Sequence, residues 1–205
     1  MKLKVCGLTK TNQVETCIQN KVDYCGFILN FQKSHRFISL KQAKILTELK
    51  KGETKFVGVL VNPSEEELER FSGLKLDYFQ LYGNYDSQSL LNIKKRYKKK
   101  LITTIQVNRQ EDVYKYKKIE SETDIILWDS SGYEKSIGWN YNWLRSINTK
   151  VKKMVAGNIN IEKLDELVGL TDIVDVSGAL ETNKVKDIIK IKIFINELKK
   201  INDTN

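Results

Sequence analysis

One rhythm constrains this chain more than any other feature: short β-rich apolar runs alternate with longer amphipathic stretches, from one end to the other. Strands are expected at 2–6, 23–29, 55–61, 77–81, 101–107, 124–128, 153–156 and 172–176. Between and after them the pattern predicts helices at 11–20, 39–52, 65–71, 88–98, 111–119, 141–147, 161–168 and 185–201. Ser39 and Ser64 read as N-caps, and Glu65, Glu66 and Glu67 occupy a first turn, where the helix dipole favours anions. That makes eight strand-then-helix units, about one per 25 residues, which argues for a parallel sheet closed into a barrel. An open doubly wound sheet is the alternative that the count disfavours. Residues 1–205 are expected to form a single (β/α)8 TIM-barrel domain of the α/β class.

Composition removes several other classes. The 40% hydrophobic and 30% charged content is that of a water-soluble globular chain. No apolar run approaches the roughly 18–20 residues of a membrane span, and the N-terminus lacks the apolar run of a signal peptide. Cys6, Cys17 and Cys25 are odd in number and miss the usual zinc spacings, and His35 is the one histidine. No disulfide framework or metal site is therefore expected, and the cytoplasm is the expected compartment. The net charge of +9 raises nucleic acid as a partner. However, its densest run, 94–100, reads as a helix end with a solvated face, so neither nucleic acid nor membrane is expected to bind.

In such a barrel the chemistry sits at the C-terminal ends of the strands. That rule selects Cys6-Gly7 after the first strand, Arg36 after the second, Asn62 after the third and Gln80–Gly83 at the fourth. It also selects Asp129-Ser130-Ser131 after the sixth, Gly157-Asn158 after the seventh, and Asp175–Gly178 at the eighth. Each has a plainer reading: Cys6 as a small buried hydrophobe, Arg36 as a surface cation, Asp129 as a cap, the glycines as turn residues. Their joint placement at one mouth carries the weight.

Those residues resemble a family. Lys4-Val5-Cys6-Gly7-Leu8-Thr9 is similar to the K-I-C-G-I-T opening of the phosphoribosylanthranilate isomerases of tryptophan biosynthesis. Further matches follow in order: Gly26-Phe27-Ile28, Lys33-Ser34-His35-Arg36, 57–62 against V-G-V-F-V-N, and 77–83 against L-D-x-V-Q-L-H-G. The strand carrying Asp129, then 156–159 against A-G-G-L, and Val174-Asp175-Val176-Ser177 complete the series. The resemblance implies an Amadori rearrangement of N-(5-phosphoribosyl)anthranilate. Asp129 would be the general acid at the ribose ring oxygen and Cys6 the general base at C2. It further implies that Arg36 clamps the anthranilate carboxylate and that Gly157, Asn158, Ser177, Gly178 and Ala179 surround the phosphate. Gln80, Tyr82 and Asp175 would complete substrate binding, with no cofactor. The partner would be a phosphorylated small molecule, and the assembly a monomer or homodimer.

The chain also departs from the family pattern. Only Gly138 and Trp143 persist from the family's G-G-T-G-x-x-F-D-W loop, here 135–143. Tyr82 replaces the histidine of Q-L-H-G, Asn158 the second glycine of A-G-G-L, His35 the proline of S-P-R, and Ala179 falls in the S-S-G segment. A positive φ at Asn158 would be tolerable and at Ala179 costly. These changes leave two further readings open at the level of sequence. One is a degenerate barrel that binds a phosphorylated ligand without turnover, and the other an isomerase for another phosphoribosyl amine.

Overall fold

The computed structural model describes residues 1–130 and 138–204. Eight parallel strands close into a barrel: β1 (Lys2–Cys6), β2 (Tyr24–Ile28), β3 (Lys55–Val61), β4 (Tyr78–Tyr82), β5 (Lys100–Val107), β6 (Ile125–Ser130), β7 (Lys152–Val155) and β8 (Ile173–Val176). Closure is direct, since Lys4 of β1 pairs with Asp175 of β8, so the open sheet is excluded.

Alternation along each strand divides the side chains into two cores. Outward residues such as Val5, Phe27, Leu81 and Val174 pack under the helices, while Tyr24, Val57, Tyr78, Ile102, Ile125 and Met154 fill the barrel's lower interior. The floor beneath the mouth is thus a packed plug rather than a channel.

α1 (Thr11–Gln19), α2 (Leu40–Thr47), α3 (Glu65–Ser72) and α4 (Ser87–Tyr97) follow the first four strands. Ser39 and Ser64 cap α2 and α3 as expected, accepting the Gln42 and Glu67 amides. Lys94, Lys95 and Arg96 lie in the last turn of α4, where cations offset the helix dipole.

The next three connections differ from expectation. Gln110–Lys118 and Tyr141–Ser146 are 3-10 helices, and Ile161–Lys163 is a 3-10 turn leading into the short α5 (Leu164–Leu167). The cause is visible in the spacing. In the first two the buried apolar residues are Val113, Tyr116, Ile119 and Tyr141, Leu144, Ile147, always three apart. A repeat of three stacks on one side of a 3-10 helix, whereas an α-helix would rotate it off the core.

The last helix, α6, runs over Ile188–Thr204 rather than from 185. Before it, β9 (Glu181–Thr182) and β10 (Val185–Lys186) form a hairpin. Asn183 and Lys184 both take positive φ, 52° and 62°, as a two-residue hairpin turn requires.

The lower rim carries a repeat that ties neighbouring strands together. Asp23, Asp77, Asp124 and Asp172 each precede an even-numbered strand, and each accepts a backbone amide of the preceding odd strand. The donors are Leu3, Phe56, Leu101 and Lys153, at 3.0, 2.7, 2.8 and 2.7 Å.

Candidate active site

At the C-terminal mouth lies a cavity of about 490 Å³. Its wall includes Cys6, Arg36, Tyr82, Asp129, Gly157, Asn158, Asp175, Ser177, Gly178 and Ala179, so ten of the expected site residues meet there. Gln80 is the correction. It is fully buried one inward position below Tyr82 on β4, its amide atoms have no hydrogen-bond partner, and it does not reach the cavity. Two residues along a strand return a side chain to the same face but one layer deeper. Asn62, also selected from sequence, lines a separate cavity beside β4 and β5. Ser131 and 135–137 of the loop after β6 lie outside the described residues.

Asp129 ends β6 facing inward. The Tyr82 hydroxyl donates to its Oδ2 at 2.7 Å and the Ser130 amide to its Oδ1 at 2.8 Å. Burial pushes its carboxyl up to about 6; the Tyr82 hydrogen bond opposes that shift and the nearby charge of Asp175 adds to it. The tyrosine standing where the family has histidine is therefore a donor to this carboxylate.

Cys6 ends β1. Burial pushes its thiol up, and the charges of Lys4 and Lys186 pull it back down. Gly7 follows with φ +79°, and a Cβ there would stand 2.5 Å from Arg36 Cδ, so glycine is what lets Arg36 cross the end of β1.

Arg36 is oriented by a residue the sequence reading missed. Its Nε and Nη2 donate to Glu181 on β9 at 2.5 and 3.0 Å. Glu181 also accepts from Lys186 on β10 and lies 3.1 Å from His35 Nε2. Although burial alone would raise it, the hydrogen bonds from Arg36 and Lys186 hold the Glu181 carboxyl at about 2. Lys186 in turn reaches Ser177 Oγ at 3.3 Å, and that hydroxyl donates to the Cys6 carbonyl at 3.0 Å. The signal was present as an acid and a lysine five apart, but a helix assigned from 185 hid the hairpin that faces them inward.

Gly157 and Asn158 turn the chain after β7 with φ of 100° and 53°, while Ala179 stays out of the left-handed region. Of the two replacements, the positive φ thus falls on asparagine, which tolerates it. Behind this turn, Trp139 Nε1 donates to the Ala156 carbonyl at 2.9 Å and the Tyr141 hydroxyl to the Gly157 carbonyl. Among the described residues no group of three or more histidine, cysteine, aspartate or glutamate side chains is placed to hold a metal, and no helix is long and apolar enough to cross a membrane.

A family model described as N-(5'-phosphoribosyl)anthranilate (PRA) isomerase matches residues 3–197. The N-(5'-phosphoribosyl)anthranilate isomerase of Streptococcus mutans is 31% identical over 204 residues, covering 97% of this chain and 99% of its own. The crystal structure of phosphoribosyl anthranilate isomerase from Thermotoga maritima superposes with a TM-score of 0.86 at 25% identity, covering 98% of this chain and 99% of that one. A further phosphoribosyl anthranilate isomerase, solved in complex with reduced 1-(o-carboxyphenylamino)-1-deoxyribulose 5-phosphate, shares the fold. Its TM-score is 0.81 at 24% identity, over 98% and 99% of the two chains.

Proposed function

The chain belongs to the phosphoribosylanthranilate isomerase family of tryptophan biosynthesis, and from that premise we propose how its own residues perform the Amadori rearrangement. Asp129, protonated, gives its proton to the ribose ring oxygen as the C1–O bond breaks, leaving an open-chain iminium at C1. The Cys6 thiolate then removes the proton from C2. The electron pair forms the C1–C2 double bond of an enolamine, whose tautomerisation yields 1-(2-carboxyphenylamino)-1-deoxyribulose 5-phosphate.

The observation that carries these roles is the meeting of a carboxyl held at about 6 and a thiol beside two lysines in one cavity. With that carboxyl value, about a tenth of Asp129 holds a proton at pH 7 in the empty site. The substrate's carboxylate and phosphate raise that share by repulsion. Arg36, steadied by Glu181, takes the anthranilate carboxylate, for which a planar guanidinium is suited. The turn at Gly157-Asn158 and the segment Ser177-Gly178-Ala179 surround the phosphate. Asp175 Oδ1 is buried on the cavity wall with no hydrogen-bond partner, an acceptor suited to a substrate hydroxyl. The site's partner is thus a phosphorylated small molecule, and the cytoplasm is the compartment this reading takes for it.

Cys6→Ser tests the base. Its kcat should fall by about 10²–10⁴-fold with the fold retained by circular dichroism. A serine variant that turns over at the wild-type rate would remove Cys6 from the mechanism.

A further inference from the structure

Lys4 takes no part in those steps, yet it is among the largest side chains fully buried in the protein. A desolvated ammonium is costly and is kept only with a partner. That partner is Asp175: Lys4 Nζ donates to its Oδ2 at 2.7 Å, the two side chains being 0% and 5% exposed. Lys4 and Cys6 stand two apart on β1 and so share its inward face, one layer apart. Gly26 on β2, the register partner of Cys6, brings them together. A Cβ built on Gly26 would lie 3.0 Å from Cys6 Sγ and 3.2 Å from Lys4 Cε. The thiol and the lysine stem therefore converge over an inward position of β2 that carries no side chain.

We infer that Lys4 is a positioning residue for the reaction: its ammonium, oriented by Asp175, is the counter-charge of the Cys6 thiolate. The inference rests on Cys6 being the base assigned above. Other charged groups face the same thiol. Lys186 on β10, balanced by Glu181 on β9, adds a second cation, and Arg36 crosses above Gly7. Asp175 on β8, Asp129 on β6 and the Tyr82 phenol on β4 share its cavity. Among these groups Lys4 exerts the strongest pull toward the thiolate, ahead of the opposing push of Asp175 and the more remote pull of Lys186. Asp175 thus has two uses: Oδ2 anchors the counter-charge, and Oδ1 is left for the substrate.

Alkylation of the intact, substrate-free protein by iodoacetamide reads the thiolate directly when followed against pH and located on Cys6 by peptide mapping. Cys6→Ala supplies the blank, and Cys17 and Cys25 are buried. Lys4→Met should slow alkylation at pH 7 by about tenfold or more, equivalent to a shift of one pH unit in the profile. Because an unpaired Asp175 would by itself produce such a shift, Lys4→Met/Asp175→Asn is measured beside it. That pair leaves no lone buried charge, so the fold is retained. The double variant also loses the opposing push of Asp175, so its shift should be smaller but in the same direction, and a wild-type alkylation profile there would overturn the inference. The measurement needs no substrate, so its failure is distinct from a failure of Cys6 as base, which shows as wild-type turnover in Cys6→Ser.

Discussion

Under the proposed roles, Asp129 and Cys6 are ordered against their tasks: burial pushes the acid's carboxyl up to about 6 and the base's thiol above its ordinary value. The form with a protonated acid and an ionised base is then a minor, constant fraction of the enzyme between the two ionisations. Below the lower one the thiolate is lost with no compensating gain of acid, and above the upper one the acid is lost. The pH dependence of kcat/KM should therefore be flat in the middle, with an acidic limb near pH 6 that Asp129→Asn abolishes along with most of the rate. A break surviving near pH 6 in that variant, as opposed to the thiol's own titration at higher pH, would assign it to another group. At this scale the sequence was informative about which residues line the mouth, as Cys6, Arg36, Asp129 and Asn158 do. It was mute where a residue acts through another. Lys4 looks like half of a polar–apolar alternation, and only barrel closure against Asp175 puts its inward face away from water. Gln80 failed for the same reason, since a motif does not say which layer of the barrel a side chain reaches.

Elements carry two further expectations. The hairpin of β9 and β10 is held to the barrel through Glu181, whose folded-state carboxyl is depressed to about 2 from an ordinary value near 4.5. A depressed carboxyl contributes stability that is present above its unfolded value and lost as pH falls through its folded one. Wild-type protein should accordingly lose stability between about pH 4.5 and 2 in acid titration, and Glu181→Gln should be less stable at pH 7 but flatter across that window. An equal slope in both proteins would show that the hairpin is anchored otherwise. The rim aspartates act between strands: Asp124 joins the Leu101 amide at 2.8 Å and Lys94 at 3.0 Å, far from the mouth. Asp124→Ala should cost about 1–3 kcal/mol in urea unfolding while kcat stays at the wild-type value, because a charged hydrogen bond is lost and nothing at the mouth moves. The elements themselves were legible from hydrophobic runs, and α2 and α3 began where their serine caps put them. The connections after β5 and β6, expected as helices, are 3-10 helices whose buried apolar residues recur every three, and the one expected at 161–168 is a 3-10 turn running into α5.

For the whole molecule, the count of eight units was enough to anticipate closure, and the structure closes β1 on β8, leaving the β9–β10 hairpin outside the barrel. The charge of +9 is spread through helix ends and ion pairs, with Lys94 on Asp124 and Arg96 on Glu65 inside the densest basic run. What alternation could not supply was the hairpin after β8, whose Glu181 and Lys186 reach Arg36 and Ser177. The resulting barrel is an isomerase of phosphoribosylanthranilate, and the acid proposed for it is the Asp129 carboxyl on β6. The most direct measurement generates the substrate in situ from anthranilate and phosphoribosyl pyrophosphate and follows its loss of fluorescence with wild type and Asp129→Asn side by side. Rapid loss with wild type and a rate lower by orders of magnitude in a folded Asp129→Asn is the predicted result. Equal rates in the two proteins, or no turnover by folded wild type, would contradict it.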